Sequence, residues 1–251
     1  MRGTLTEQHI NGSNKCTVYL PPSYSAHTEA FPCVYVLDGG SLFLEQIDFL
    51  ETQFAQGKLP ELIFAGIEPD NRLDEYTPWP APSLSPDYQG FGGKGELYLY
   101  DLIHHLIPKV EENWNISKNP STRGLIGASL GGLFSMYAFL QKPDVFGRIG
   151  CISGSFWYEK SAGYVRSASL QPKQQRIYMS VGTREAEHKN NIQNKMVKRN
   201  IDVHESLKNK GFSSSQLSFT IEKDAVHHQE AFIKQFDSAL NWLYGKNRSR
   251  G

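Results

Sequence analysis

Arg123-Gly124-Leu125-Ile126-Gly127-Ala128-Ser129-Leu130-Gly131-Gly132 reads as a buried strand, a sharp turn carrying one serine, and the opening of a helix. Apolar residues at helical spacing continue through Phe134, Met136, Tyr137, Phe139 and Leu140. Residues 127–131 spell G-x-S-x-G, the nucleophile-elbow pattern. The spacing has a steric cause. A serine at the tip of a strand-to-helix turn sits in strained backbone, and the positions two residues to either side nearly touch. Glycine at both removes the Cβ atoms that would clash. The turn also sets Ser129 near a helix N-terminus, where unpaired N–H groups and the helix dipole favour developing negative charge. The plain alternative is a glycine-rich turn with an exposed serine. The flanking elements, and suitable acid and histidine partners downstream, favour the catalytic reading.

Working outward, apolar runs of strand length recur along the chain. They are Thr17–Leu20, Cys33–Leu37, Leu62–Ile67, Arg148–Ile152, Ile177–Val181 and Leu217–Ile221. Helical patterns alternate with them: Leu42 to Gln56, Glu96 to Trp114, Asn190 to Lys210, and a closing helix from Phe232 to Leu243. In the second of these, Leu97, Tyr100, Leu102, Ile103, Leu106, Ile107 and Val110 are read as facing the core, with Pro108 kinking or dividing it. This alternation predicts an α/β fold with a mostly parallel central sheet and helices on both faces. Ligands of such sheets bind beyond the carboxyl ends of the strands. Ser129, Glu185, His227 and the Asp38–Ser41 turn all follow strands, so they are expected on one edge. Residues 68–95 break the pattern, with many prolines and glycines beside Arg72, Tyr76, Trp79 and Tyr88. They read as an ordered active-site loop. Gly92-Gly93-Lys94-Gly95 lacks both the Ser or Thr and the leading strand of a phosphate loop.

With 251 residues, one domain over residues 1–251 is expected, with a frayed tail at 246–251. The 26 basic and 26 acidic side chains balance, which argues against a nucleic-acid or anionic-membrane partner. Cys16, Cys33 and Cys151 form no metal or redox spacing and read as reduced residues of a cytoplasmic protein. The polar stretch from Met1 to Asn14 carries no apolar signal region, and no run reaches membrane-spanning length. The sequons at Asn11, Asn115 and Asn247 are chance matches in that setting.

A serine hydroxyl needs a base to take its proton during attack, and histidine suits neutral pH. A carboxylate on the second ring nitrogen fixes the tautomer and stabilises the imidazolium. The order serine, acid, histidine is that of α/β-hydrolases. His227 is taken as the base, with His228 as its competitor; His188 and His204 lie in a polar stretch and read as solvated. Glu185, directly after a strand, is taken as the acid, with Glu187 as the fallback; Asp224 is too close in sequence to His227. The oxyanion donors expected are the N–H of Leu130 and that of Gly40 or Ser41. The chemistry calls for no metal or cofactor, and no zinc spacing is present.

With these residues placed, the chain resembles the esterase D family of α/β-hydrolases. Val18 to Tyr24, Val34 to Gly39, Gly127 to Gly132, Gly182 to Glu185, and His227 with Phe232 carry the resemblance over nearly the whole chain. The aromatic five residues beyond the histidine favours His227 over His228. Arg72-Leu73-Asp74-Glu75-Tyr76-Thr77-Pro78-Trp79 and Ser153-Gly154-Ser155-Phe156-Trp157 look like the enterobactin and siderophore esterases. That likeness implies hydrolysis of catecholate esters, a small-molecule ester as partner, and Arg72, Tyr76, Trp79 and Trp157 around it. No counterpart of the extra N-terminal domain of the larger enterobactin esterases is expected. The wider family also implies S-formylglutathione, feruloyl or acetyl esterases and acyltransferases. A binding protein on a hydrolase scaffold is the reading from another class. The oligomeric state is not legible.

Overall fold

The computed structural model describes residues 1–10, 14–25, 29–86 and 89–245. The expectations for Tyr88, Asn11, Asn247 and the 246–251 tail lie outside the described residues. In chain order the strands are β1 (Thr4–Ile10), β2 (Asn14–Leu20), β3 (Cys33–Val36), β4 (Ile63–Ile67), β5 (Pro80–Ala81), β6 (Phe91–Gly92), β7 (Arg123–Ala128), β8 (Arg148–Ile152), β9 (Arg176–Gly182) and β10 (Leu217–Glu222). The α-helices are α1 (Ser41–Leu44), α2 (Ile47–Ala55), α3 (Arg72–Glu75), α4 (Gly95–Asp101), α5 (Ile107–Asn113), α6 (Leu130–Gln141), α7 (Ser161–Ser167), α8 (Met196–Asn209) and α9 (Gln229–Tyr244).

Eight strands form one sheet in the order β1-β2-β4-β3-β7-β8-β9-β10. The β1–β2 and β2–β4 pairs are antiparallel, and every pairing from β4 through β10 is parallel. Each central strand is buried on both faces because successive side chains alternate sides. Val34 and Val36 join one apolar cluster, with α1, α2 and α9; Cys33 and Tyr35 join the other, with α4 to α8. The sheet is thus a septum between two cores, and the β7–α6 elbow sits near its middle. Among the described residues, no helix is long and apolar enough to cross a membrane.

Several local expectations change. Thr4–Ile10 is a strand, although its sequence reads as a polar lead. It lies at the sheet edge with most side chains at least partly exposed, so it has no apolar period to detect. The helix expected over Leu42–Gln56 is two helices, broken at Glu45 and Gln46. The 68–95 stretch holds α3 and the small β5–β6 pair.

Leu97 and Tyr100 are exposed rather than inward, and Tyr98 and Leu99 are buried in their place. The cause is a π turn over Leu102–Leu106, where the Ile107 N–H reaches the Leu102 carbonyl. One extra residue per turn rotates everything before it by roughly 100°. Tyr98 and Leu99 take the inward positions, while Leu102 is buried and Ile103 packs against the core as expected. Pro108, which has no N–H to donate, opens the helix beyond.

Candidate active site

The elbow is as tight as its glycines require. Ser129 has φ 56° and ψ −120°, a conformation strained for a side-chain-bearing residue. A Cβ on Gly127 would lie 2.5 Å from the Gly131 carbonyl carbon, so Gly127 cannot be replaced without opening the turn. Ser129 N–H donates to the Ile152 carbonyl at 2.9 Å, tying the turn to β8.

The acid and histidine arrive on two loops zipped together. Thr183 N–H donates to the Glu222 carbonyl (2.9 Å) and Arg184 N–H to the Ala225 carbonyl (3.0 Å). Asp224 N–H donates to Thr183 Oγ1 (2.9 Å). These bonds hold the turn after β9 in register with the turn after β10. His227 Nε2 lies 2.9 Å from Ser129 Oγ, and its Nδ1 lies 2.9 Å from Glu185 Oε2. With Nδ1 as donor to the carboxylate, Nε2 presents its lone pair to the serine hydroxyl. The Glu185 side chain is fully buried, while that of His227 is 29% exposed and so open to a ligand. Phe232 packs edge-on against the imidazole, ring centres 4.8 Å apart. His228 is exposed and precedes α9 as its cap residue. Glu187 is exposed and pairs with Arg184 at 2.8 Å. His204, read from sequence as solvated, is half-buried against Phe219.

Glu185 collects three donors. Besides His227, its Oε1 accepts from Gly182 N–H (2.5 Å) and from Ser153 Oγ (2.6 Å). Ser153 is fully buried with φ 46°. Its one hydroxyl proton cannot serve both Glu185 and the Gln235 side-chain oxygen 3.2 Å away. Gln235 Nε2 is buried and has no other partner among the described residues. With the amide turned over, Nε2 donates to Ser153 Oγ while the Ser153 proton goes to Glu185. From sequence, Ser153 stood out only as part of the siderophore-esterase-like segment, with no role of its own, and Gln235 was missed, since a helix glutamine carries no local signal.

On the other side of Ser129, Asp38, Gly39 and Gly40 follow β3 with φ of 55°, 66° and 85°. This left-handed run folds over Gly66, where a Cβ would lie 2.3 Å from the Gly39 carbonyl. Leu130 is the first residue of α6, so its N–H has no carbonyl one turn earlier in the helix. Gly40 N–H makes a 3.3 Å contact with the Leu37 carbonyl, at the weak end of the range. Ser41 N–H is committed to the Asp38 carbonyl.

The four aromatic and basic residues expected around a ligand divide. Arg72 donates to Asp38 through Nε (2.6 Å) and Nη2 (3.1 Å), and reaches the Ala128 carbonyl (3.3 Å). Burial opposes its charge, but the Asp38 carboxylate outweighs that, and its pKa is raised. Tyr76 is fully buried against Phe134 and Tyr98, and its hydroxyl accepts from Asp38 N–H at 2.9 Å. Arg72 and Tyr76 therefore brace the turn after β3 against the elbow; full burial takes Tyr76 away from any ligand, while the Arg72 side chain stays 36% exposed. Trp79 packs on Tyr158 and Tyr164 and donates to the Glu159 carbonyl at 2.9 Å, so it secures the loop. Trp157 stays at the site, lining a small cleft with Glu185, Lys189, Gln193, Met196 and His227. Among the described residues, no group of three or more His, Cys, Asp or Glu side chains could hold a metal.

A model of the family described as "Putative esterase" matches residues 7–243. The chain belongs to this esterase family. Its class of chemistry is carboxylic ester hydrolysis. The esterase is 55% identical over 249 residues to the uncharacterized protein YbbA of Bacillus subtilis, spanning 99% of each chain. It is 26% identical over 198 residues to the ferri-bacillibactin esterase BesA of the same organism, covering 68% of this chain and 66% of that one. Among solved structures, an IroE-like serine hydrolase from Shewanella oneidensis overlays with a TM-score of 0.77 at 22% identity. That overlay covers 94% of this chain and 79% of the other, and it establishes the shared α/β-hydrolase fold.

Proposed function

We propose that the esterase works through an acyl-enzyme, with Ser129 as nucleophile, His227 as general base and Glu185 as the carboxylate that orients it. The observation carrying this reading is the unbroken line of contacts, each 2.9 Å, from Ser129 Oγ through both imidazole nitrogens to a buried carboxylate. His227 takes the serine proton as Oγ attacks the ester carbon, then gives it to the leaving alcohol. Water repeats the sequence to release the acid. The N–H groups of Leu130 and Gly40 hold the developing oxyanion; the weak Gly40 contact is one a substrate oxygen can displace. Three buried cysteines without disulfides suit a reducing compartment, and we assign the enzyme to the cytoplasm.

For substrate, we read an aromatic ester of the catecholate siderophore kind. Support comes from Trp157 beside His227 and from the likeness to a ferri-bacillibactin esterase. A panel of a catecholate triester, a feruloyl ester and S-formylglutathione tests this. The expected result is the highest kcat/KM for the catecholate ester. A preference for S-formylglutathione would replace that substrate while keeping the chemistry.

Arg72 gives a separate test of how the site is built. Arg72→Met should lower kcat about tenfold or more with little change in KM, because it loosens the turn carrying an oxyanion donor. A rise in KM alone would return Arg72 to ligand binding.

A further inference from the structure

The loop after β8 touches both ends of the line from Ser129 to Glu185. Ser153 holds the carboxylate; two residues on, Ser155 Oγ lies 3.2 Å from Ser129 Oγ. Ser155 is fully buried, and its loop is pinned at three successive residues. Ser153 N–H donates to the Ser180 carbonyl (2.9 Å), and Ser155 N–H to the Ser129 carbonyl (2.9 Å). The Gly154 carbonyl accepts from the buried Asn200 side chain of α8 at 2.9 Å.

The direction of the hydroxyl contact follows from the histidine. When His227 Nδ1 donates to Glu185, Nε2 is an acceptor and the Ser129 proton points at it. Ser129 Oγ then has only lone pairs left for Ser155, so Ser155 is the donor.

We infer that Ser155 is a further catalytic residue, hydrogen-bonding the nucleophile oxygen itself; this rests on Ser129 being the nucleophile. In the resting enzyme the bond is long and between neutral groups. As the Ser129 proton passes to His227 Nε2, Oγ becomes more negative and the bond strengthens. The Oγ electron pair forms the bond to the ester carbon, and the carbonyl π pair moves onto its oxygen. Ser155 keeps its own proton throughout. In deacylation the carbon–Oγ bond breaks, its pair returns to Oγ, and Ser155 meets the departing alkoxide until His227 returns the proton.

The test uses Ser155→Ala and the near-isosteric, weaker donor Ser155→Cys. Two rates are measured: turnover of p-nitrophenyl acetate, and labelling of Ser129 by a fluorophosphonate probe. For Ser155→Ala, kcat and the labelling rate should both fall about 10- to 100-fold, with KM moving less. The cysteine variant should fall between it and the wild type. A role in packing alone would lower Tm and leave the labelling rate of folded protein unchanged. Labelling and turnover within about twofold of wild type in Ser155→Ala would overturn the inference. If that variant does not fold, a wild-type labelling rate in Ser155→Cys would overturn it instead, and a several-fold loss would support it. Wild-type protein that is never labelled at Ser129 would remove the nucleophile assignment, a different failure from an indifferent Ser155.

Discussion

Ser129→Ala should reduce turnover of p-nitrophenyl acetate about a millionfold, leaving only what the oxyanion donors and substrate binding supply. The size of the effect follows from the geometry. The hydroxyl at the elbow tip is the one placed 2.9 Å from His227 Nε2. Ser155, the adjacent hydroxyl, is 0% exposed and lies behind Ser129, so it cannot take over attack. The fold should survive. Alanine and serine meet the same strain at φ 56°, and the tight approach of Gly127 to Gly131 involves no Ser129 side-chain atom. Thermal unfolding should therefore stay close to wild type while the steady-state rate collapses. A variant that keeps more than about one per cent of wild-type turnover would move the nucleophile elsewhere.

What could be read from the sequence, and what could not, divides by the range of the interaction. The elbow was legible because its constraint is local: Gly127 and Gly131 must meet across a five-residue turn. The parallel sheet was legible because strands buried on both faces read as continuous apolar runs, as in Val34-Tyr35-Val36. Glu185 and His227 could be named because each follows a strand, and parallel strands deliver their ends to one edge. The supporting side chains obey no such rule. Arg72 meets Asp38 from 34 positions away and the Ala128 carbonyl from 56 away. Nothing near residue 72 separates an arginine that clamps a turn from one that greets a ligand. Ser153 and Ser155 stood out only as members of a segment resembling the siderophore esterases; the roles of their hydroxyls emerge only when β8 and β9 are side by side. The misread face of α4 has another origin. A single π turn changes the helical phase, and a fixed period applied across it assigns Leu97 and Tyr100 to the wrong side.

Glu185→Gln should cost about 10⁴-fold in kcat, the second-largest loss expected at this site. Three donors converge on the two Glu185 oxygens: Gly182 N–H and Ser153 Oγ on one, His227 Nδ1 on the other. An ionised carboxylate accepts all three; an amide offers one oxygen and one NH₂. With the Gly182 N–H fixed in the backbone, the amide oxygen must stay on that side and the NH₂ turns toward the imidazole. Nδ1 then becomes the acceptor and the ring proton moves to Nε2, where it faces Ser129 and removes the base. Glu187→Gln breaks an exposed, solvent-screened pair with Arg184 and should leave kcat within about twofold. Measuring both variants across pH separates the cases, because the Glu185 variant should stay impaired even where His227 is wholly deprotonated. If the Glu187 variant proves the more damaged, the orienting acid lies on the exposed side of the loop and the contact at Nδ1 is only structural.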